Sequence, residues 1–69
     1  MKYKIRKNKK GYINKVNNIK IRNEVKLKNS KDKFYVLSFL ENEDSSLSVW
    51  GVFKKDWIVI NFNEIEEVV

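Results

Sequence analysis

The 69-residue sequence contains no cysteine, histidine, proline, alanine, threonine or glutamine, and only two glycines. Small folds often supplement their core with disulfides or a structural metal; without cysteine and histidine we expect neither, nor any cofactor. The same absence removes the strongest nucleophile and the usual proton carrier near neutral pH. We therefore predict a binding protein that is not an enzyme, with a core held together by side-chain packing alone.

Carboxylates are the remaining candidates for chemistry, and they occur in two clusters: Glu41, Glu43 and Asp44, and Glu64, Glu66 and Glu67. Both clusters stand beside turn residues, where we do not expect the burial that separates the pKa values of a catalytic pair. The spacing of the first cluster matches no loop that supplies the oxygen ligands of a calcium site. We interpret both clusters as solvated surface charge.

Long apolar runs are also missing. The longest, Trp57-Ile58-Val59-Ile60, is far too short to span a bilayer. The basic segment from Lys2 to Lys10 is not followed by the apolar stretch that a signal peptide requires. The sequence therefore predicts a cytoplasmic protein without membrane contact, folded as a single domain over residues 1–69.

What the sequence has in excess is positive charge, and that charge is concentrated in one half. Residues 1–33 carry thirteen Lys and Arg against two acids, whereas residues 34–69 carry two lysines against seven acids. Lysine, asparagine and isoleucine make up 29 of the 69 residues, a bias typical of an AT-rich genome. That bias explains some of the lysines but not their concentration in one half, which indicates an anionic partner.

The clearest local pattern is the alternation over residues 19–28. Its apolar residues share one parity: Ile19, Ile21, Val25 and Leu27. The other parity carries four cations and Glu24. Alternation with a period of two is typical of a half-buried strand. Because ten residues are long for one strand, we expect a bend near Asn23.

Further strands are predicted at 3–6, 12–16, 33–40, 47–53 and 57–62. Polar turns separate them, including the two-residue loop Asn17-Asn18, whose asparagines tolerate the positive φ of a type I′ hairpin. Gly51 indicates a bulge or a close backbone approach. Asn63 and Glu66 form a weak capping-box pattern, which predicts one helical turn near 63–66.

The predicted fold class is therefore all-β, a single small antiparallel meander of five or six strands. At this length the sheet must curl to cover its own apolar face, which favours an SH3-like or OB-like barrel. The C-terminal stretch 60–65 resembles the strand, short turn and strand that end SH3-like barrels. A fold-level resemblance of this kind supplies no function.

A basic sheet face with interleaved aromatic rings is typical of proteins that bind single-stranded nucleic acid. If residues 29–32 form a four-residue hairpin, Lys28 faces Lys33, and Lys26 faces Tyr35. We therefore predict a module that engages nucleic acid or a nucleic-acid-bound protein. The predicted contacts are Lys2, Lys4, Arg6, Lys9, Lys10, Lys20, Arg22, Lys26, Lys28, Lys33 and Tyr35.

Alternatives remain open. Strand 33–40 is apolar on both faces, so the pattern does not decide whether Tyr35 and Phe39 are surface or core. A small phage- or plasmid-type inhibitor or adaptor would instead bind a host protein through exposed aromatics, with Trp50, Trp57 and Phe39 as contacts. We nevertheless expect at least one tryptophan, with Trp57 the better candidate, in the core. The complementary basic and acidic halves also make a head-to-tail homodimer electrostatically reasonable.

Overall fold

The computed structural model describes residues 3–69, so Lys2, one of the predicted contacts, lies outside the described residues. The strands are β1 Ile5–Lys7, β2 Ile13–Val16, β3 Ile19–Lys20, β4 Glu24–Leu27, β5 Lys33–Glu41, β6 Leu47–Phe53, β7 Asp56–Asn61 and β8 Ile65–Val68, with a 3₁₀ helix at Phe62–Glu64. The predicted all-β class is confirmed. No helix in residues 3–69 has the length and apolar character needed to cross a membrane.

The strands form two antiparallel sheets. The small sheet has the order β1-β2-β3, and the large sheet has the order β7-β6-β5-β4-β8. The described part of the chain contains eight strands, so the predicted number of five or six is wrong. Within residues 3–69 no pairing joins β7 to β8, so the large sheet stays open between these two edges.

The predicted ten-residue strand over 19–28 is wrong, because a tight turn divides it into β3 and β4. Asn23 N–H donates to the Lys20 carbonyl at 3.1 Å, and Lys20 N–H donates to Asn23 Oδ1 at 2.8 Å. Arg22 at the turn has a φ of 74°. The bend expected near Asn23 is therefore confirmed, but it is sharp enough to send the chain from the small sheet into the large one.

Backbone hydrogen bonds fix this change of sheet. Arg22 N–H donates to the Val36 carbonyl at 2.7 Å, and Val36 N–H donates to the Asn23 carbonyl at 3.0 Å. The alternation survives the turn, since Ile19 before it and Val25 after it are both buried. Both sheets thus turn their apolar sides towards one shared core. Its fully buried members are Val16, Val25, Phe34, Val36, Leu47 and Val49.

A bulge in β5 decides which side of this strand is buried. Val36 pairs with Gly51 and Ser38 pairs with Trp50, so Leu37 is an extra residue without a counterpart on β6. The extra residue reverses the parity of the strand. Tyr35 before the bulge is therefore exposed, whereas Phe39 after it is buried in the core.

The capping box predicted at Asn63 and Glu66 is wrong, because the observed one lies two residues earlier in the chain. The N-cap is Asn61, whose Oδ1 accepts from Asn63 N–H at 2.9 Å, and Glu64 Oε2 accepts from Asn61 N–H at 3.0 Å. This box starts the 3₁₀ helix, which carries Phe62 into the core beside Phe39, with ring centroids 6.3 Å apart. The expectation of one helical turn near this position is otherwise correct.

We expect the two glycines to respond differently to alanine. A Cβ on Gly51 would collide with the Tyr35 carbonyl and lie 2.7 Å from Phe34 Cζ, because β5 and β6 approach closely beside the bulge. Gly51→Ala should therefore lower the free energy of unfolding by about 2–3 kcal/mol. Gly11 has open space but a φ of 87°, so Gly11→Ala should cost only about 1 kcal/mol. Urea unfolding followed by tryptophan fluorescence measures both; equal losses would contradict this account.

Candidate functional site

Three cations stand in a row across the small sheet. Arg6 pairs with Lys15, and Lys15 pairs with Lys20, as direct cross-strand neighbours. Neighbouring strands lie about 4.8 Å apart, so the three side chains leave the sheet within roughly 10 Å of one another. We call Arg6, Lys15 and Lys20 the basic row. Val16 comes directly after Lys15, and Ile19 directly before Lys20, so both lie on the opposite side of the sheet, where they are buried in the core.

A bulge in β2 shapes the surface beside the basic row. Arg6 pairs with Lys15 and Lys7 pairs with Ile13, which leaves Asn14 as the extra residue. Asn14 Oδ1 is buried and has no hydrogen-bond partner within the described residues. Asn14 and the basic row line one shallow depression of about 250 Å³. An unsatisfied acceptor therefore borders the cations.

Within residues 3–69, the basic row takes part in no ion pair. The ion pairs found within residues 3–69 are Lys26–Glu66 at 3.6 Å and Lys54–Asp32 at 3.3 Å, and all four residues belong to the large sheet or its loops. Residues 3–23 contain eight cations and no acid. Residues 24–69 contain six cations and nine acids. The charge is thus segregated by sheet, with the small sheet strongly positive and the large sheet slightly negative.

Several predicted contacts lie around the basic row. Lys4 precedes β1 on the same parity as Arg6, and its backbone is held by Asn17 through bonds of 2.9 and 2.7 Å. Lys9 and Lys10 lie in the loop from β1 to β2, where Asn8 Oδ1 accepts from Lys10 N–H at 2.9 Å. The structure therefore gathers these predicted cations at one sheet. Arg22 lies in the turn where the chain leaves that sheet.

Other predicted contacts belong to the large sheet, so the predicted contacts do not share one sheet face. Lys26 pairs with Lys33, and not with Tyr35, because the connection between β4 and β5 is longer than the four residues assumed. Lys28 has left β4, and its N–H donates to the Glu64 carbonyl at 2.9 Å. On its other side Lys26 faces Glu67 across β8. These lysines therefore have acidic neighbours that the basic row lacks.

Aromatic residues are placed differently from the predictions. Tyr35 faces Glu24 on one side and Val52 on the other, so it does not lie opposite Lys26 as predicted. The interpretation of Phe39 as a surface contact is wrong, because its side chain is only 5% exposed. The expectation that Trp57 packs in the core is also wrong, since 64% of its surface is exposed.

A second candidate surface is the outer side of β5, β6 and β7. Trp50 and Trp57 contact each other there, with ring centroids 5.0 Å apart. Val52 pairs with Trp57, and Trp50 pairs with Val59, which extends the cluster over two strands. We call this surface the apolar face; its members are Tyr35, Leu40, Trp50, Val52, Trp57 and Val59. Lys33, on the same side of β5, and Glu24, opposite Tyr35, border it.

The acidic loop between β5 and β6 has a structural explanation. Asp44 Oδ1 accepts from Ser46 Oγ at 2.6 Å and from Ser46 N–H at 3.0 Å. These hydrogen bonds stabilise the carboxylate and lower the pKa of Asp44, the bond from the Ser46 hydroxyl contributing most. Within residues 3–69 no group of three or more acidic side chains is arranged to hold a metal ion.

Sequence reasoning missed two residues of the site. Lys15 was predictable, because a two-residue loop at Asn17-Asn18 requires Lys15 to face Lys20. That loop is confirmed, although only Asn17 has a positive φ, which does not fit type I′. Tyr12 was not predictable from local pattern; it is 68% exposed at the start of β2, next to the basic loop.

Comparison of the chain with protein-family models, with curated proteins and with solved structures finds no match.

Charge reversal should affect stability oppositely on the two sheets. Lys15→Glu replaces two like-charge neighbours by two attractive pairs, so it should raise the free energy of unfolding by about 0.5–1 kcal/mol. Lys26→Glu replaces the attraction to Glu66 and Glu67 by repulsion but makes the contact with Lys33 attractive, so it should lower that free energy by only about 0.2–0.5 kcal/mol. Urea unfolding at low ionic strength measures both. Both changes in the free energy of unfolding should become smaller in 1 M salt, because salt screens exposed charges. If both variants raised this free energy, or both lowered it, the difference in charge between the two sheets would not explain their stability.

Proposed function

We propose that this protein is a non-enzymatic module that binds nucleic acid, or a nucleoprotein, through the basic row and the cations around it. The observation that supports this most directly is the cross-strand alignment of Arg6, Lys15 and Lys20 in a region without acids. Like charges directly opposite one another destabilise a sheet. A polyanion relieves that repulsion, because its phosphates neutralise the cations and release their counterions.

The composition of the basic surface favours contact with the backbone over reading of base sequence. Lysine acts as a point charge, whereas the planar contacts that read guanine usually come from arginine, of which this surface has two. Tyr12 offers an exposed ring beside Lys9 and Lys10 on which a base can stack. We therefore favour a single-stranded ligand bound without strong sequence preference.

We also propose a finer description of the fold. The order of β4 to β8, with a 3₁₀ helix before a last strand that returns to β4, resembles the arrangement of SH3-like barrels. In this proposal the large sheet is a partly open barrel, and the small sheet is an addition before its first strand. The resemblance concerns architecture and adds nothing to the functional argument.

Binding should depend on the basic row. In fluorescence anisotropy titrations with single- and double-stranded oligonucleotides, three to four phosphate contacts predict a slope of about −2 to −4 in log K against log salt. The double variant Lys15→Gln/Lys20→Gln should weaken binding and reduce the size of that slope by about one per cation removed. The matched control Lys26→Gln/Lys33→Gln removes the same charge from the large sheet and should change affinity less. No binding at low salt, or equal losses for the two pairs, would refute the proposal.

A small phage- or plasmid-type inhibitor or adaptor is the alternative proposal. It is supported by the exposure of Trp50 and Trp57, whereas Phe39 no longer supports it. Capture from a lysate separates the two proposals. A protein partner retained after nuclease treatment favours the inhibitor, and a partner lost on treatment favours nucleic acid.

A further inference from the structure

Strand β7 has a free edge. Its one strand neighbour within residues 3–69 is β6. The two are joined by Lys54 and Lys55, whose φ values of 51° and 71° are those of a type I′ turn. Asp56 and Phe53 therefore form the first hydrogen-bonded pair of the hairpin. Along the two strands, hydrogen-bonded pairs then alternate with pairs that are not hydrogen-bonded. By that alternation the N–H and C=O groups of Trp57 and Val59 point away from β6, towards the free edge.

This edge lacks the features that usually prevent association. Proteins protect edge strands with charged residues or proline. The opposite edge of the same sheet, β8, carries Glu66 and Glu67, and the edge strand β1 of the small sheet carries Arg6 and Lys7. In contrast, β7 is uncharged from Trp57 to Asn61. Its outer side is exposed as well, with Val59 at 57% exposure.

The groove beneath the edge is lined in part by apolar side chains. A groove of about 560 Å³ lies where the large sheet is open, and Leu27, Phe53, Ile58 and Ile60 are among its lining residues. A strand added to β7 would cover apolar surface on the groove side and on the side of the apolar face. Such a strand gains main-chain hydrogen bonds and side-chain burial together.

The charge distribution identifies the added strand as a second copy of this chain. At a net charge of +6, two copies repel each other unless the contact avoids their cations. The uncharged edge of β7 belongs to the sheet in which acids outnumber cations. The ends of β7 also differ in charge: Lys54, Lys55 and Asp56 together give the first end a net charge of +1, and Glu64 places a charge of −1 after the other end. Antiparallel pairing of two copies brings these opposite charges together at both ends of the interface.

We propose that β7 pairs antiparallel with β7 of a second copy around a two-fold axis at Ile58. In this register Trp57 lies opposite the partner's Val59, and Val59 lies opposite the partner's Trp57. All four edge groups of Trp57 and Val59 then have a hydrogen-bonding partner. The two large sheets become one continuous sheet, and the apolar faces of both copies join on the same side. This inference does not depend on the proposed function.

Sedimentation equilibrium of the nuclease-treated full chain, from micromolar concentration to about 1 mM, tests the dimer. We expect a species of twice the 8.3 kDa mass of the chain. Val59→Lys should raise the dissociation constant at least about tenfold, because it places a cation at the interface in each copy. Leu40→Lys is the matched control: Leu40 is 49% exposed on the outer side of β5, away from the edge. This variant adds the same charge and should leave dimerisation unchanged.

Hydrogen exchange on the unmodified chain gives an independent test that needs no variant. The amide protons of Trp57 and Val59 should become protected as the concentration rises. Three results would overturn the proposal: a chain that stays monomeric at about 1 mM, equal weakening by Val59→Lys and Leu40→Lys, or unprotected amides in an observed dimer. A foreign protein bound to β7 of a monomeric chain would assign the edge to that protein instead.

Discussion

The structure depends on the turn from Lys20 to Asn23, where the chain changes sheets. Two backbone bonds, from Arg22 N–H to Val36 and from Val36 N–H to Asn23, hold this turn against the middle of the large sheet. The acid-free residues therefore lie in and around the small sheet, and all nine acids lie in the large sheet, its loops or the 3₁₀ helix. A continuous strand through this point would instead have placed cations and acids on the same sheet, where they would neutralise one another.

The change of sheet also separates the two surfaces. The basic row occupies the small sheet, whereas the apolar face and the free edge of β7 occupy the large one. If both proposals hold, a polyanion and a second copy of the chain would therefore not compete for the same residues. A dimer joined through β7 would present two basic surfaces at once, and linked sites of this kind gain affinity through effective concentration. In such an assembly, uncharged contacts hold the copies together while their cations stay available.

The sequence predicted some features of this structure correctly and others wrongly. The burial of Ile19, Val25 and Leu27 followed from alternation, and the close approach at Gly51 followed from a lone glycine in an apolar strand. The partner of Lys26 was wrong by two residues, because the connection from β4 to β5 is longer than the four residues assumed. A register error of two residues keeps each side chain on its predicted side of the sheet but changes the residue opposite it. Lys26 and Tyr35 therefore share a face of the sheet, as predicted, but do not lie opposite each other.

The sequence by itself determined that the chain is all-β, that lysines point outward along residues 19–28, and that charge is unevenly distributed. These properties depend on local composition and on the alternation of apolar and polar residues, and both can be read from neighbouring positions in the sequence. Only the tertiary structure decided that Arg6, Lys15 and Lys20 adjoin, that Phe39 turns inward and that Trp57 stays outside. Those outcomes depend on cross-strand register and on the bulge at Leu37, and both arise from pairing between segments distant in the sequence.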